Sequence, residues 1–105
     1  MTKLPSKINI AGISVDVIEK DMLADEKTIG KSVYLEEKIY IDTTACGNDT
    51  TLQSFWHEII HWVLFVMGEY ELKDNEKFVD IFAHLIYQVT KDIDDVNSKG
   101  KKAKA

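Results

Sequence analysis

One cysteine, Cys46, occurs among the 105 residues, so no disulfide can form within a single chain and nothing demands an oxidising compartment. On its own it reads as a small buried residue or an idle thiol. Positive charge is also in deficit. Thirteen basic residues against eighteen acidic ones give a formal net charge of -5, which disfavours nonspecific capture by nucleic acid. Long apolar runs are missing as well: the longest, around residues 59 to 67, is too short to cross a bilayer. The opening MTKLPSKINI lacks the apolar stretch of a signal peptide. No internal repeat or low-complexity block interrupts the chain before its lysine-rich end. These absences lead to the expectation of a cytoplasmic protein with neither nucleic acid nor membrane as partner.

What is present is a globular balance, 45% hydrophobic and 30% charged, sufficient for a single core and a single domain. The domain is expected over residues 1 to 96, with the tail NSKGKKAKA disordered. The fold class predicted is α+β. KINIAGISVDVI alternates apolar and polar residues about Ala11-Gly12, the pattern of a tight hairpin. EKDMLADEKTIGK reads as a connecting loop with one helical turn around Met22 to Glu26. SVYLEEKIYID alternates again, with Glu36-Glu37 at the bend, and predicts a second hairpin.

Two helices should follow. The first is expected from near Thr51 to about Met67, capped by Asp49 or by Thr50 in a capping-box pattern with Gln53, and stopped by Gly68. Leu52, Phe55, Trp56, Ile59, Ile60, Trp62, Val63, Leu64 and Val66 leave it almost no polar face, so it should be central, with its histidines inside the protein. EYELKD is expected as an exposed loop. The second helix is expected from Asn75 to about Asp94, packing on the first through Phe78, Phe82, Leu85, Val89 and Ile93.

Within the first helix stands FWHEIIHW. Positions four apart share one helix face, so His57 and His61 can both reach one metal ion. Imidazole suits zinc, and a catalytic zinc takes three protein ligands and leaves a position for water. Glu58 lies about 100° round the helix from His57, placed to act as the base that takes a proton from that water. HEIIH matches H-E-x-x-H, the zinc hydrolase signature. Chance alone yields such a string on the order of a few times per thousand in chains of this length. Two buried histidines bonded to backbone carbonyls are the bland alternative, but without a metal each imidazole and the carboxylate would need partners.

A third ligand is then required. The metzincin extension is excluded, because Leu64 and Met67 occupy its glycine and histidine positions. Downstream, NEKFVD supplies Glu76 and Asp80. This arrangement resembles the gluzincin pattern, in which the glutamate is the third ligand and the aspartate one turn on orients a zinc-bound histidine. Helical angles agree, and the longer Glu76 side chain is the better fit for a gap between helix axes of about 8 to 10 Å. The plainer readings are a dipole-favoured helix-start acid for Glu76 and a solvated charge for Asp80. His84 and Tyr87 are further candidates for contact with substrate or transition state, beside the simpler readings of a solvated histidine and a packing tyrosine.

With these residues assembled, the chain resembles the small H-E-x-x-H proteins of bacteriophages and prophages, relatives of the ImmA/IrrE-type metallopeptidases and of minimal gluzincins. The resemblance runs from about Ile8 to Ile93 through the first hairpin, KIYID, TLQSFWHEIIHWVLFVMG and NEKFVDIFAHLIYQVTKDI. It implies a zincin-like domain with a Zn2+ cofactor in a bacterial cytoplasm, KIYID as the cleft's edge strand, and a protein or peptide substrate that includes host or phage regulatory proteins. The arginine or histidine that larger gluzincins aim at the oxyanion has no counterpart here. A noncatalytic, zinc-stabilised protein that binds a partner is the alternative, but such a site has no use for Glu58.

Overall fold

The computed structural model describes residues 4–21, 29–44 and 47–104, with side chains described as far as residue 98. The helical turn expected around Met22 to Glu26 and the site of Cys46 fall outside the described residues. The first hairpin pairs β1 (Lys7–Ile10) with β2 (Ile13–Glu19), Ile10 opposite Ile13. Ala11 and Gly12 both take positive φ, 48° and 84°, which matches the turn to the twist of the two strands. The second hairpin joins β3 (Gly30–Val33) to β4 (Lys38–Ile41) through a 3-10 turn at Tyr34–Glu36, and Glu37 closes it at φ 56°.

The hairpins do not form a purely antiparallel sheet. β2 and β4 pair in parallel, Val17 opposite Ile39, giving the order β1-β2-β4-β3. Val15, Ile39 and Ile41 are fully buried and Val17 nearly so; placing the two most apolar strands side by side puts all four in the middle of the sheet. KIYID is therefore interior, and the edge beside the helices belongs to β3. The edge strand inferred from the resemblance is thus displaced by one strand.

Helix α1 (Asn48–Met67) begins three residues before the expected start, after Gly47, and no side chain caps it. Asp49 is diverted from capping by a 2.6 Å hydrogen bond from the Tyr87 hydroxyl. At the other end Gly68 sits at φ 77°, its N–H reaching Phe65 O while the N–H of Glu69 reaches Leu64 O, a left-handed stop that favours glycine. One side of α1 covers the sheet through Phe55 and Trp62, with Tyr34 stacked on Phe65 at 4.3 Å. The other side meets the next helices through Ile60 and Leu64.

Residues expected as a loop form a short helix, α2 (Tyr70–Asp74), with Leu72 packed on the second core cluster; that contact supplies the support one turn lacks alone. Helix α3 (Glu76–Lys104) is longer than expected and continues through the positions read as a disordered tail. Alanine and lysine are good helix formers, and lysine suits a helix C-terminus.

The largest departure is the rotation of α3. Val79, Ala83 and Tyr87 are its buried residues, whereas Phe82, Leu85, Val89 and Ile93 are exposed. Ile60 and Leu64 of α1 already fill the space between the helices, so the facing positions must be small. No helix among the described residues is long and apolar enough to cross a membrane.

Candidate metal centre

α1 presents His57 and His61 one turn apart, and α3 begins with Glu76 directly opposite. Their functional atoms meet. His57 Nε2 lies 3.1 Å from His61 Nε2 and 2.9 Å from Glu76 Oε2, and His61 Nε2 lies 3.1 Å from Glu76 Oε1. One ligand atom from each of the three residues falls within 4.8 Å of the others. In a tetrahedral zinc site with bonds of about 2.0 to 2.1 Å, ligand atoms stand roughly 3.3 Å apart. The three residues therefore fit zinc in both donor type and spacing, after an outward shift of a few tenths of an ångström. The imidazoles are mostly shielded, their side chains 20% and 12% exposed, while Glu76 is 69% exposed.

Asp80 lies behind this group. Its Oδ1 is 3.4 Å from His57 Nδ1, on the ring nitrogen that faces away from His61 and Glu76. A carboxylate there favours the tautomer that leaves Nε2 free to bind a metal. His84, an exposed residue, approaches the same Asp80 oxygen, its Nε2 3.6 Å from Oδ1. Tyr87 is not brought to the histidines: its hydroxyl goes to Asp49, eight residues before His57 on α1, or about 12 Å along the helix. Burial first, then the Asp49 hydrogen bond and charge, push its phenol up to about 12.

Glu58 stands apart from the three converging residues. It is 8% exposed, under the edge of the sheet, and accepts a 2.8 Å hydrogen bond from Ser32 Oγ on β3. Burial drives its carboxyl above the usual range, against the Ser32 hydrogen bond and the two histidines, which favour the ionised form. Gly30 makes the room: a Cβ there would lie 3.1 Å from Glu58 Cγ and 3.3 Å from its Oε2. Tyr34 belongs to the same neighbourhood. Its phenol is pushed up to about 12 by burial and then by the charges of Glu58, Asp74 and Glu76.

Ser32 and Gly30 escape a reading based on motifs. The available signal is small residues at alternate positions of a strand, which mark close approach by another group, but nothing local says that the approaching group is Glu58. A groove of about 420 Å³ lined in part by Asp49, Leu52, Trp56, Tyr87 and Asp95 lies toward the start of α1, away from the histidines. No family model, curated protein or solved structure matches the chain, so the likeness to phage zincins rests on the motif residues alone.

Proposed function

We propose that the chain is a zinc-dependent endopeptidase, hydrolysing a peptide bond in the cytoplasm of a bacterial host in a phage or prophage context. The observation that carries this reading is a division of labour. His57, His61 and Glu76 converge, while the adjacent Glu58 stands outside that group and is held by Ser32. A site that only stabilised the fold would need the first three residues and would gain nothing from burying the fourth.

Zinc held by this group supplies a Lewis acid that lowers the pKa of a water toward about 7. Glu58 is the base that takes the proton, and its raised affinity for protons suits it to accept one and pass it to the leaving amine. Ser32 holds the carboxylate through Oε1, and Oε2, packed beside Gly30, is the oxygen left to take the proton. Asp80 steadies the His57 ring. β3, the terminal strand on this side of the sheet, runs beside Glu58 and offers the line along which an extended peptide would lie.

The test combines metal analysis with a cleavage assay. The purified chain should hold about one zinc and cleave an unstructured protein or a candidate phage or host regulator. Glu58→Gln should retain the zinc and lose hydrolysis, because an amide cannot accept the proton. Zinc binding without hydrolysis of any substrate would favour the partner-binding alternative. Unchanged cleavage by the glutamine variant would defeat the mechanism.

A further inference from the structure

The metal centre leaves one large feature of the molecule unused, the outer face of α3. Phe82, Leu85, Val89, Ile93 and Val96 are 42%, 64%, 54%, 54% and 68% exposed. With the half-buried Phe78 they follow at intervals of four, three, four, four and three residues, which at about 100° per residue holds them in one stripe. The stripe lies roughly a third of a turn from the Val79, Ala83 and Tyr87 face that meets α1. Glu76 and Asp80 lie on the opposite flank, so covering the stripe leaves the metal centre open. Side chains of this size at these exposures present on the order of 500 Å² of apolar surface, at the upper end of what a monomer keeps in water.

We propose that this stripe is the interface of an antiparallel dimer, in which α3 packs against α3 of a second copy of the chain. The spacing is self-complementary when one copy is reversed. Phe78 then faces Val96, Phe82 faces Ile93 and Leu85 faces Val89, and the same three pairs repeat across the twofold axis, so every level of the stripe meets an apolar partner. That is the requirement of an isologous contact. Bulky and smaller residues alternate across it, which lets the two helices interdigitate.

Side-chain volume selects the direction. Side by side in parallel, Phe78 and Phe82 would each meet its own copy and crowd one end of the stripe, while Val89, Ile93 and Val96 would meet theirs at the other. Reversal sets each phenylalanine against a β-branched residue and evens the spacing between the two helices. The area is also in the right range. The stripe, with the half-exposed Ile81 on its margin, approaches the roughly 800 Å² per partner of a stable interface. Finally, residues 91–98 are all exposed, a helical arm tied to the body of its own chain by the exposed Lys91–Asp49 contact at 3.4 Å and otherwise open along its apolar side. A second copy covers that side.

The experiment is sedimentation of the full chain at micromolar concentrations, with and without Leu85→Glu. Twice the chain mass is expected for the wild type and the single mass for the variant, with helical content and zinc stoichiometry the same in both. A wild type that stays monomeric at the highest concentrations overturns the proposal, as does a Leu85→Glu variant that stays dimeric. Orientation is read by cross-linking in a Cys46→Ser background. Phe82→Cys mixed with Ile93→Cys should form a disulfide, and Phe82→Cys alone should not; the opposite result overturns the antiparallel arrangement. Because Leu85 and Phe82 lie away from the histidines, these outcomes are independent of whether the metal centre is catalytic.

Discussion

Ser32 on β3 donates a 2.8 Å hydrogen bond to Glu58 on α1 across 26 positions of sequence. The bond ties the outermost strand of the sheet to the helix that carries both histidines. It also holds a carboxylate that would otherwise be buried with one oxygen unsatisfied.

Ser32→Ala follows from that contact. Zinc content should be unchanged, since no ligand is touched. Cleavage of a substrate should fall about 10 to 100-fold, the range for losing a group that orients a metal-site residue. Unfolding free energy should fall by about 1 to 2 kcal/mol. Steady-state kinetics beside urea unfolding decide it; normal turnover in the alanine variant would mean that burial alone positions Glu58.

Gly30→Ala tests the same packing by steric means. The added methyl would stand 2.9 Å from Ile41 Cδ1 and 3.1 Å from Glu58 Cγ. Ile41 is a fully buried residue in the middle of the sheet and has little room to yield, so the displacement falls on Glu58. A loss of about 1 to 3 kcal/mol in stability is expected, with hydrolysis reduced more than zinc binding. Chemical denaturation at equal protein concentration gives the first quantity and metal titration the second. A variant as stable as the parent would show that the strand edge moves freely.

Much of this arrangement could be read from local pattern. The turn at Ala11-Gly12, the stop at Gly68 and the shared face of His57 and His61 depend on neighbours in sequence, where chain geometry is restrictive. Glu76 is legible because it opens the long helix α3, a short distance in sequence after the histidine helix. The pairing of β2 with β4 was not, since alternation gives each strand its buried face but no strand order. The rotation of α3 misled the periodicity argument for a different reason. The helix has two apolar stripes, the longer one is exposed, and the choice between them depends on how much space Ile60 and Leu64 leave. The role of Ser32 depends on a contact between distant segments and has no local signature.

The two shielded phenols, Tyr87 buried and Tyr34 partly so, predict a pH response. Tyr34 and Tyr87 both have pKa values raised to about 12, above the value of about 10 for a tyrosine in an unfolded chain. A raised folded pKa means that the folded state holds its proton longer. The associated stability is present below pH 10 and is lost as pH rises from there toward 12. Absorbance of tyrosinate near 295 nm should show these two phenols titrating late in the folded protein and near pH 10 in urea. In Tyr87→Phe, stability should fall less steeply between pH 10 and 12. A parental slope in that variant would remove Tyr87 from the account.

The ligand set itself is tested by comparing Glu76 with Asp80. Both carboxylates approach His57, Glu76 at Nε2 within 2.9 Å and Asp80 at Nδ1 at 3.4 Å. Only Glu76 also reaches His61, at 3.1 Å, so only its carboxylate stands where both imidazoles direct a nitrogen. Asp80 faces the opposite side of one ring and can act on a metal only through that ring. Glu76→Ala should therefore remove one of three protein ligands and lower zinc affinity by several orders of magnitude, approaching the loss in His57→Ala or His61→Ala. Asp80→Ala should retain the ligands and cost about 10 to 100-fold. Competition titration with a chromogenic chelator measures all four variants on one scale. Glu76 is mostly exposed and Asp80 about half exposed, so neither substitution should unfold the chain, and circular dichroism in the absence of metal would verify that. If Asp80→Ala proves the more damaging of the two, the aspartate is the ligand, α3 rotates on binding to bring it round to the Nε2 side, and Glu76 returns to being an acid at the start of a helix.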